Sequence, residues 1–356
     1  MRNDKLRIGM LGSRFAADFH ADCYRRDPRV ELVAVAGRDE KRLRAYAEKW
    51  KVPRTFTDYL ELLKCKDIDV VALCTPNATH AQMVQDAAQA GKHVICEKPL
   101  ATNLADAKAA VAACAKAKVK LFYAEDWCFA PALLRVEEAV REGAVGEVLY
   151  LKAKECHNGT HSPYAKNKDS CGGGCLIHLA IHPIGWALHF LGKEGKNPCV
   201  EVIGKANLGG KDNYVHTENG GEDFALGIMK FKEGQHAFIE GNYITVGGMD
   251  DKVEIYGSAG RIGVDLTFGS PVSVYSRPGY SYAIEKADNT LGWTKPAVDE
   301  FYNLGYVKEL QHFVDCILED RQPHWGVSGA AGLECVRIVE AMYRSNVEGK
   351  TVALPR

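Results

Sequence analysis

Two short stretches of this chain carry side chains suited to moving a proton. The first is Ala90–Leu100, Ala-Gly-Lys-His-Val-Ile-Cys-Glu-Lys-Pro-Leu. Gly91 ends a helical pattern, and His93–Glu97 reads as an apolar strand too short for a helix. It runs straight into Glu97-Lys98-Pro99, where Pro99 stops the strand and restricts Lys98 to extended conformations. Ligands of open α/β sheets sit at the carboxyl ends of strands, so Lys98 sets one cation at such a site; alone, it would read as a solvated lysine. The second stretch is Gly172-Gly173-Gly174-Cys175-Leu176-Ile177-His178-Leu179-Ala180-Ile181-His182. Three glycines free the backbone ahead of a helix, and His178 and His182, four apart, share one face of it. Oxidation of a secondary alcohol removes a hydride from carbon and a proton from oxygen. A neutral imidazole suits the proton near neutral pH, and an ammonium can hydrogen-bond the developing alkoxide or carbonyl. Two histidines packed between helix and sheet are the competing reading. Against it, 5 of the 12 histidines fall within residues 157–189.

The elements that must position these residues come in two textures. Leu6–Leu11 is a buried strand followed by Gly12-Ser13-Arg14-Phe15-Ala16-Ala17 and a helix carrying Phe19, His20, Cys23 and Tyr24. Strand, glycine turn and helix form the opening of a dinucleotide site, with pyrophosphate at the helix N-terminus. Val30–Gly37 is a second strand. Folds specific for NAD place Asp or Glu at its end to bind the ribose 2′-hydroxyl; here stand Gly37 and Arg38, then Asp39. Arg38 could hold a 2′-phosphate or stack on adenine, and Asp39 is more simply the N-cap of a helix over Glu40–Trp50. NAD or NADP both stay open, with a lean toward tolerance of NADP. Val52–Phe56, Ile68–Cys74, His93–Glu97 and Val119–Glu125 continue the strands, alternating with helices that start near Tyr59, Thr79 and Thr102. This alternation predicts a doubly wound parallel sheet of Rossmann type over residues 1–126.

Beyond Trp127–Pro131 and a helix over Ala132–Glu142, the strands follow one another without helices: Glu147–His157, Val200–Leu208, Phe224–Phe231, His236–Thr245, Lys252–Tyr256 and Pro271–Ser276. They predict an α+β domain over residues 127–356 with a largely antiparallel open sheet, closed by helices over Leu304–Asp320 and Ser328–Val347. Open sheets of this kind pair with another subunit, so a homo-oligomer, dimer or tetramer, is expected through this sheet. The 356 residues suit two domains. A net charge of −1 favours neither nucleic acid nor an anionic membrane surface. With no membrane-length apolar run and a polar Met1–Leu6, a cytoplasmic protein is expected. The cysteines agree: Cys74, Cys96 and Cys114 sit in buried patterns, and Cys171 and Cys175 lack a zinc-ribbon spacing.

The Glu97-Lys98-Pro99 signature, Thr75-Pro76-Asn77 followed by His80, and the glycines ahead of His182 together resemble the Gfo/Idh/MocA family of nicotinamide-dependent oxidoreductases. The family's glycine pattern is Gly-x-Gly-x-x-Ala. Gly12 and Ala17 match it, whereas Arg14 takes the place of the second glycine, so either the loop opens and Arg14 pairs with phosphate or adenine, or cofactor binding weakens. The resemblance implies a cofactor site of Gly12, Ser13, Arg14, Phe15, Gly37, Arg38, Thr75, Pro76, Asn77, His80, Glu97 and Lys98. The Thr75 loop would lie against the nicotinamide ribose, with His80 either touching ligand or bonding locally. It places His182 on the family's catalytic histidine, with His178 where the family has Asp. Lys98 and His182, from different domains, would then converge on one hydroxyl of a carbohydrate-like small molecule, with His178 relaying a proton, orienting His182 or binding sugar. Trp127, Glu155, His157, His178 and His182 are the candidate substrate residues, and Ser162 and Tyr164 add hydroxyls suited to polyols. Glu155, His157 and His161 with His178 and His182 could instead hold a divalent metal, though a polar sugar-binding rim is favoured. Trp127, Trp186 and Trp293 could stack on a sugar face, Trp186 more simply in a core. The expected reaction is NAD(P)-dependent oxidation or reduction at a secondary hydroxyl or keto carbon of a sugar, glycoside or cyclitol. The rivals are a redox-neutral NAD-dependent glycosidase and a non-catalytic nucleotide sensor.

Overall fold

A computed structural model describes residues 5–160, 162–267, 269–281 and 289–355. The chain divides into two compact units, residues 1–125 with 306–336, and residues 126–305 with 337–356.

In the first unit, β1 (Leu6–Leu11), β2 (Val30–Ala36), β3 (Arg54–Phe56), β4 (Val70–Leu73), β5 (His93–Glu97) and β6 (Leu121–Ala124) form one sheet in the order β3-β2-β1-β4-β5-β6. All its pairings are parallel, as the alternation of strands and helices predicted. β4, covered on both faces, is buried at all four residues, Val-Val-Ala-Leu. The connecting helices are α1 (Phe15–Arg26), α2 (Glu40–Trp50), α3 (Tyr59–Leu63), α4 (His80–Gln89) and α5 (Leu104–Ala117). Asp39, Asp58 and Asn103 cap α2, α3 and α5 by accepting a backbone N–H of the first turn. Strand order reverses between β1 and its two neighbours, so the crevice for a ligand lies at the carboxyl ends of β1 and β4.

Residues 306–336 cluster with this unit. The helix Tyr306–Leu318 packs on α1, with the Phe19 and Tyr306 rings 5.1 Å apart and Arg29 Nη1 2.7 Å from Asp315 Oδ1. The helix beginning at Gly329 then lies so close to β6 that a Cβ at Gly329 would come within 2.8 Å of Leu121, and one at Gly332 within 2.8 Å of Tyr123. An apolar stripe states that a helix is covered, not by which sheet.

The second unit carries β7 (Val148–Cys156), β8 (Cys199–Ala206), β9 (Phe224–Phe231), β10 (His236–Asn242), β11 (Lys252–Gly257), β12 (Arg261–Asp265), β13 (Val274–Ser276), β14 (Gly292–Thr294) and β15 (Val352–Ala353). Seven of them form a sheet ordered β12-β11-β7-β10-β9-β8-β15, and β13 pairs with β14. The large sheet is antiparallel except between β7 and β10. One face is covered by helices, among them the end of Gly329–Glu348, where a Cβ at Gly204 would lie 2.6 Å from the Met342 carbonyl oxygen. The other face leaves Leu226 42% and Phe238 40% exposed, beside the stacked rings of Tyr150 and Tyr256. Among the described residues no single helix is long and apolar enough to cross a membrane.

Candidate active site

In the first unit the sites foreseen from sequence gather at the carboxyl ends of the strands. Gly12 follows β1 with φ +112°, and a Cβ there would fall 2.1 Å from the Cys74 carbonyl oxygen. Only glycine fits this approach of the turn to the end of β4. Ser13 and exposed Arg14 and Phe15 lead into α1, whose N-cap Arg14 makes no side-chain cap bond, unlike the caps of α2, α3 and α5. A helix start without a side-chain cap, behind a glycine-fitted turn, suits a pyrophosphate. Gly37 follows β2 with Arg38 and Asp39 exposed beyond it. Asp39 Oδ1 accepts the Arg42 N–H at 3.1 Å, confirming it as the cap of α2, and that bond holds its carboxyl below the usual range. Arg42 Nε lies 3.7 Å from Asp39 Oδ2, and Arg14 also acts on Asp39 electrostatically.

Thr75, Pro76 and buried Asn77 follow β4, while buried Glu97 and half-buried Lys98 end β5, with a cis peptide between Lys98 and Pro99. His80 is fully buried, its Nδ1 2.7 Å from the Pro99 carbonyl oxygen and its Nε2 2.9 Å from that of Thr75. Any part this ring has in cofactor binding therefore passes through the two loops it joins. His20, which nothing in the sequence singled out, is equally buried, with Nε2 2.9 Å from Glu97 Oε1 and Nδ1 3.3 Å from the Tyr24 hydroxyl. His20, Cys74 and Glu97 bring one donor atom each within 4.8 Å of one another, a set able to hold a metal ion.

In the second unit close approach demands Gly173 and Gly174, while Gly172 and Gly173 take positive φ. A Cβ at Gly174 would lie 2.0 Å from the Glu222 carbonyl oxygen, and one at Gly173 2.0 Å from the Tyr343 hydroxyl. Glu222 Oε1 accepts the Leu176 N–H at 3.0 Å and the Tyr343 O–H at 2.7 Å, and burial pushes its carboxyl above the usual range. This bracket starts the short helix Cys175–His178, and the helix Ile181–Phe190 follows with His182 in its first turn.

His182 is 5% exposed, with Nδ1 3.1 Å from Asp126 Oδ1 and Nε2 3.8 Å from Glu155 Oε2. Glu155 Oε1 is in turn 3.3 Å from His157 Nε2, and the buried Trp127 ring lies nearly parallel to the His182 ring at 6.1 Å. His157, Glu155, His182 and Asp126 thus form one buried row of alternating imidazole and carboxylate. Asp126 was missed because its chemistry comes from packing against a helix over fifty residues away. A carboxylate at Nδ1 favours the tautomer protonated there and leaves Nε2 to accept a proton. His178 is turned elsewhere, with Nδ1 2.6 Å from the Tyr243 hydroxyl and Nε2 3.5 Å from that of Tyr164. Among the described residues no close group of three metal-type donors includes His157 or His178, and His161 lies outside the described residues. Trp186 is fully buried in the core, and Trp293 is 75% exposed on the β13–β14 hairpin.

Comparison with known proteins agrees with this architecture. Residues 6–125 match the model of the oxidoreductase family with an NAD-binding Rossmann fold, and residues 137–354 match that family's C-terminal alpha/beta domain. The chain is 28% identical over 358 residues to myo-inositol 2-dehydrogenase of Thermotoga maritima, covering 98% of each chain. It is 27% identical over 354 residues to D-apiose dehydrogenase of Paraburkholderia graminis, covering 97% of this chain and 88% of that one. Among solved structures, GenD2 from gentamicin A biosynthesis, in complex with NAD, superposes with a TM-score of 0.91 at 25% identity, covering 99% of this chain and 97% of the other. With both domains matched in order over nearly its whole length, the chain belongs to the Gfo/Idh/MocA family of oxidoreductases.

Proposed function

We propose that this chain oxidises a secondary hydroxyl of a sugar, glycoside or cyclitol, or reduces the matching ketone, using NAD or NADP, with Lys98 and His182 handling the proton. The observation that supports this reading is the buried approach of the Asp126 carboxylate to His182 Nδ1 at 3.1 Å, which favours a ring protonated on that side and suits Nε2 to accept a proton. The dehydrogenases of inositol and apiose to which the chain is similar support the substrate class. The nicotinamide ring, when bound, accepts or returns the hydride at its C4. In oxidation, the C–H electron pair leaves as that hydride, the O–H proton passes to His182 Nε2, and a C=O bond forms. The Lys98 ammonium steadies the oxygen as charge develops on it. Glu155 and His157 supply polar groups suited to neighbouring hydroxyls.

Calorimetry with NAD, NADH, NADP and NADPH, followed by product analysis on cyclitols, aldoses and glycosides, tests the reading. Expected is binding of at least one nucleotide and nicotinamide-linked oxidation of a cyclitol or sugar. Binding of none of the four overturns it, and release of free aglycone without net reduced nucleotide replaces it with the glycosidase.

For cofactor choice, Arg38 and Arg42 beside a capping-committed Asp39 favour acceptance of a 2′-phosphate. Arg38→Ala should weaken NADP binding selectively; equal losses for both nucleotides refute the phosphate role.

The open sheet face supports a homo-oligomer. Register aligns Ile203, Ile228, Phe238, Lys152 and Glu254 across it, and Lys205, Leu226, Glu240 and Lys154 beside them. An apolar centre flanked by both signs of charge complements a second copy of itself. Light scattering should give a dimer or tetramer that Leu226→Glu with Phe238→Lys dissociates; a monomeric wild type refutes it.

A further inference from the structure

Lys98 has two neighbours in sequence, and each is held by a buried histidine. On one side, Glu97 offers Oε1 to His20 Nε2 at 2.9 Å, while its Oε2 accepts the Lys98 backbone N–H at 3.3 Å. On the other, the Pro99 carbonyl oxygen takes His80 Nδ1 at 2.7 Å, and Leu100 beyond it is fully buried. His20 comes from α1, directly behind the glycine turn, and His80 from the first turn of α4. Both rings have 0% exposed surface, so neither faces a nucleotide or substrate. Residues 97 and 99 are therefore tied to two different helices, and the residue between them is the half-buried lysine.

We propose that His20 and His80 are positioning residues that grip Glu97 and Pro99 from opposite sides and so fix the placement of the Lys98 ammonium. The proposal rests on the reading of Lys98 as the group that steadies the substrate oxygen.

The chemistry of His80 makes the grip selective. Burial holds its pKa below the ordinary value, against the opposing pull of the two carbonyls and Glu97, with the Lys98 charge lowering it further. A neutral imidazole carries one N–H and so donates to one carbonyl only. The proposal places that proton on Nδ1, toward Pro99. The side of the ring that faces Lys98's neighbour is thus the bonded one.

Amide substitutions separate the two ring nitrogens. Asn places its N–H₂ near the position of Nδ1, and Gln near that of Nε2. His80→Asn keeps a donor for Pro99, whereas His80→Gln moves it to Thr75. His80→Gln should slow turnover by about 10- to 100-fold, the cost of misplacing a catalytic group by up to an ångström. His80→Asn should stay several-fold faster than His80→Gln. The order reverses at the other histidine: His20→Gln keeps the donor for Glu97, and His20→Asn loses it. Nucleotide affinity by calorimetry and melting temperature are measured on all four. Placing Lys98→Met under His80→Gln makes the test specific, since a grip acting through Lys98 has nothing further to misplace. The expected result is that His80→Gln slows Lys98→Met little or not at all. Equal turnover within each Asn/Gln pair, or full additivity with a slow Lys98→Met, overturns the grip alone. A Lys98→Met variant at the wild-type rate overturns instead the role of Lys98. If His80→Gln or His20→Asn does not fold, the near-isosteric Glu97→Gln carries the test. It should slow turnover at unchanged melting temperature, and wild-type turnover there refutes the grip on that side.

Discussion

Asp126→Asn is the substitution that tests the second unit's chemistry most directly. The carboxylate stands 3.1 Å from His182 Nδ1, both groups are buried, and the amide is nearly the same size. Packing should survive while the charge disappears. The contact is electrostatic, and an opposite charge within about 4–6 Å shifts a pKa by about 1–3 units. Losing about one unit of that support, about 1.4 kcal/mol, comes to about tenfold in rate. An amide can also turn its N–H₂ toward Nδ1, which moves the ring proton to Nε2 and removes the base. The loss is bounded by that of His182→Ala, expected at about 10²–10⁴-fold for a general base. The assay is steady-state turnover followed by nicotinamide absorbance, on a cyclitol or sugar the wild type demonstrably uses, with nucleotide affinity measured in parallel. Turnover should fall about tenfold or more with nucleotide affinity nearly unchanged, and Asp126→Asn should add little to His182→Ala. Wild-type turnover in Asp126→Asn, or additive losses in the double variant, would refute the argument that Asp126 acts through His182.

Lys98→Met should slow turnover while leaving the melting temperature intact; unchanged turnover removes it from the chemistry. Gly174→Ala drives a Cβ to 2.0 Å from the Glu222 carbonyl oxygen, with no flexible side chain there to yield. It should cost about 3 kcal/mol, read as a fall of about 5–10 °C in thermal unfolding, and an unshifted melting temperature contradicts the packing described. Asp27 offers a pH test: the Arg29 guanidinium holds its carboxyl below the ordinary aspartate range. A lowered folded value means stability present above the unfolded value of about 3.9 and lost as pH falls through the folded one. The stability gap between wild type and Asp27→Asn in urea titrations should therefore shrink below about pH 4. A gap constant with pH denies the pair its role.

The sequence by itself determined the alternation of strands and helices, the glycine turn after β1 and the Glu97-Lys98-Pro99 strand end. Each is a local property: apolar period, a glycine where φ is positive, a proline that ends a strand, an aspartate that caps a helix. Local signals of this kind survive without knowledge of neighbours, so the parallel sheet and the later run of strands were legible. The cap role of Asp39 was legible for the same reason. The sequence also pointed to His182, through three glycines and a spacing, but not to its partner. Only the tertiary structure brought Asp126 to Nδ1, turned His178 toward Tyr243, and closed His20 and His80 on the two sides of Lys98. It likewise decided that residues 306–336 cover the first sheet, since an apolar helix face does not name its partner. The three glycines were read as freedom ahead of a helix, whereas packing made Gly173 and Gly174 a requirement of distance to Tyr343 and Glu222. The physical reason is common to all of these. Burial and partnership of a polar side chain depend on groups that are near in space and remote along the chain, and no spacing within one segment encodes them.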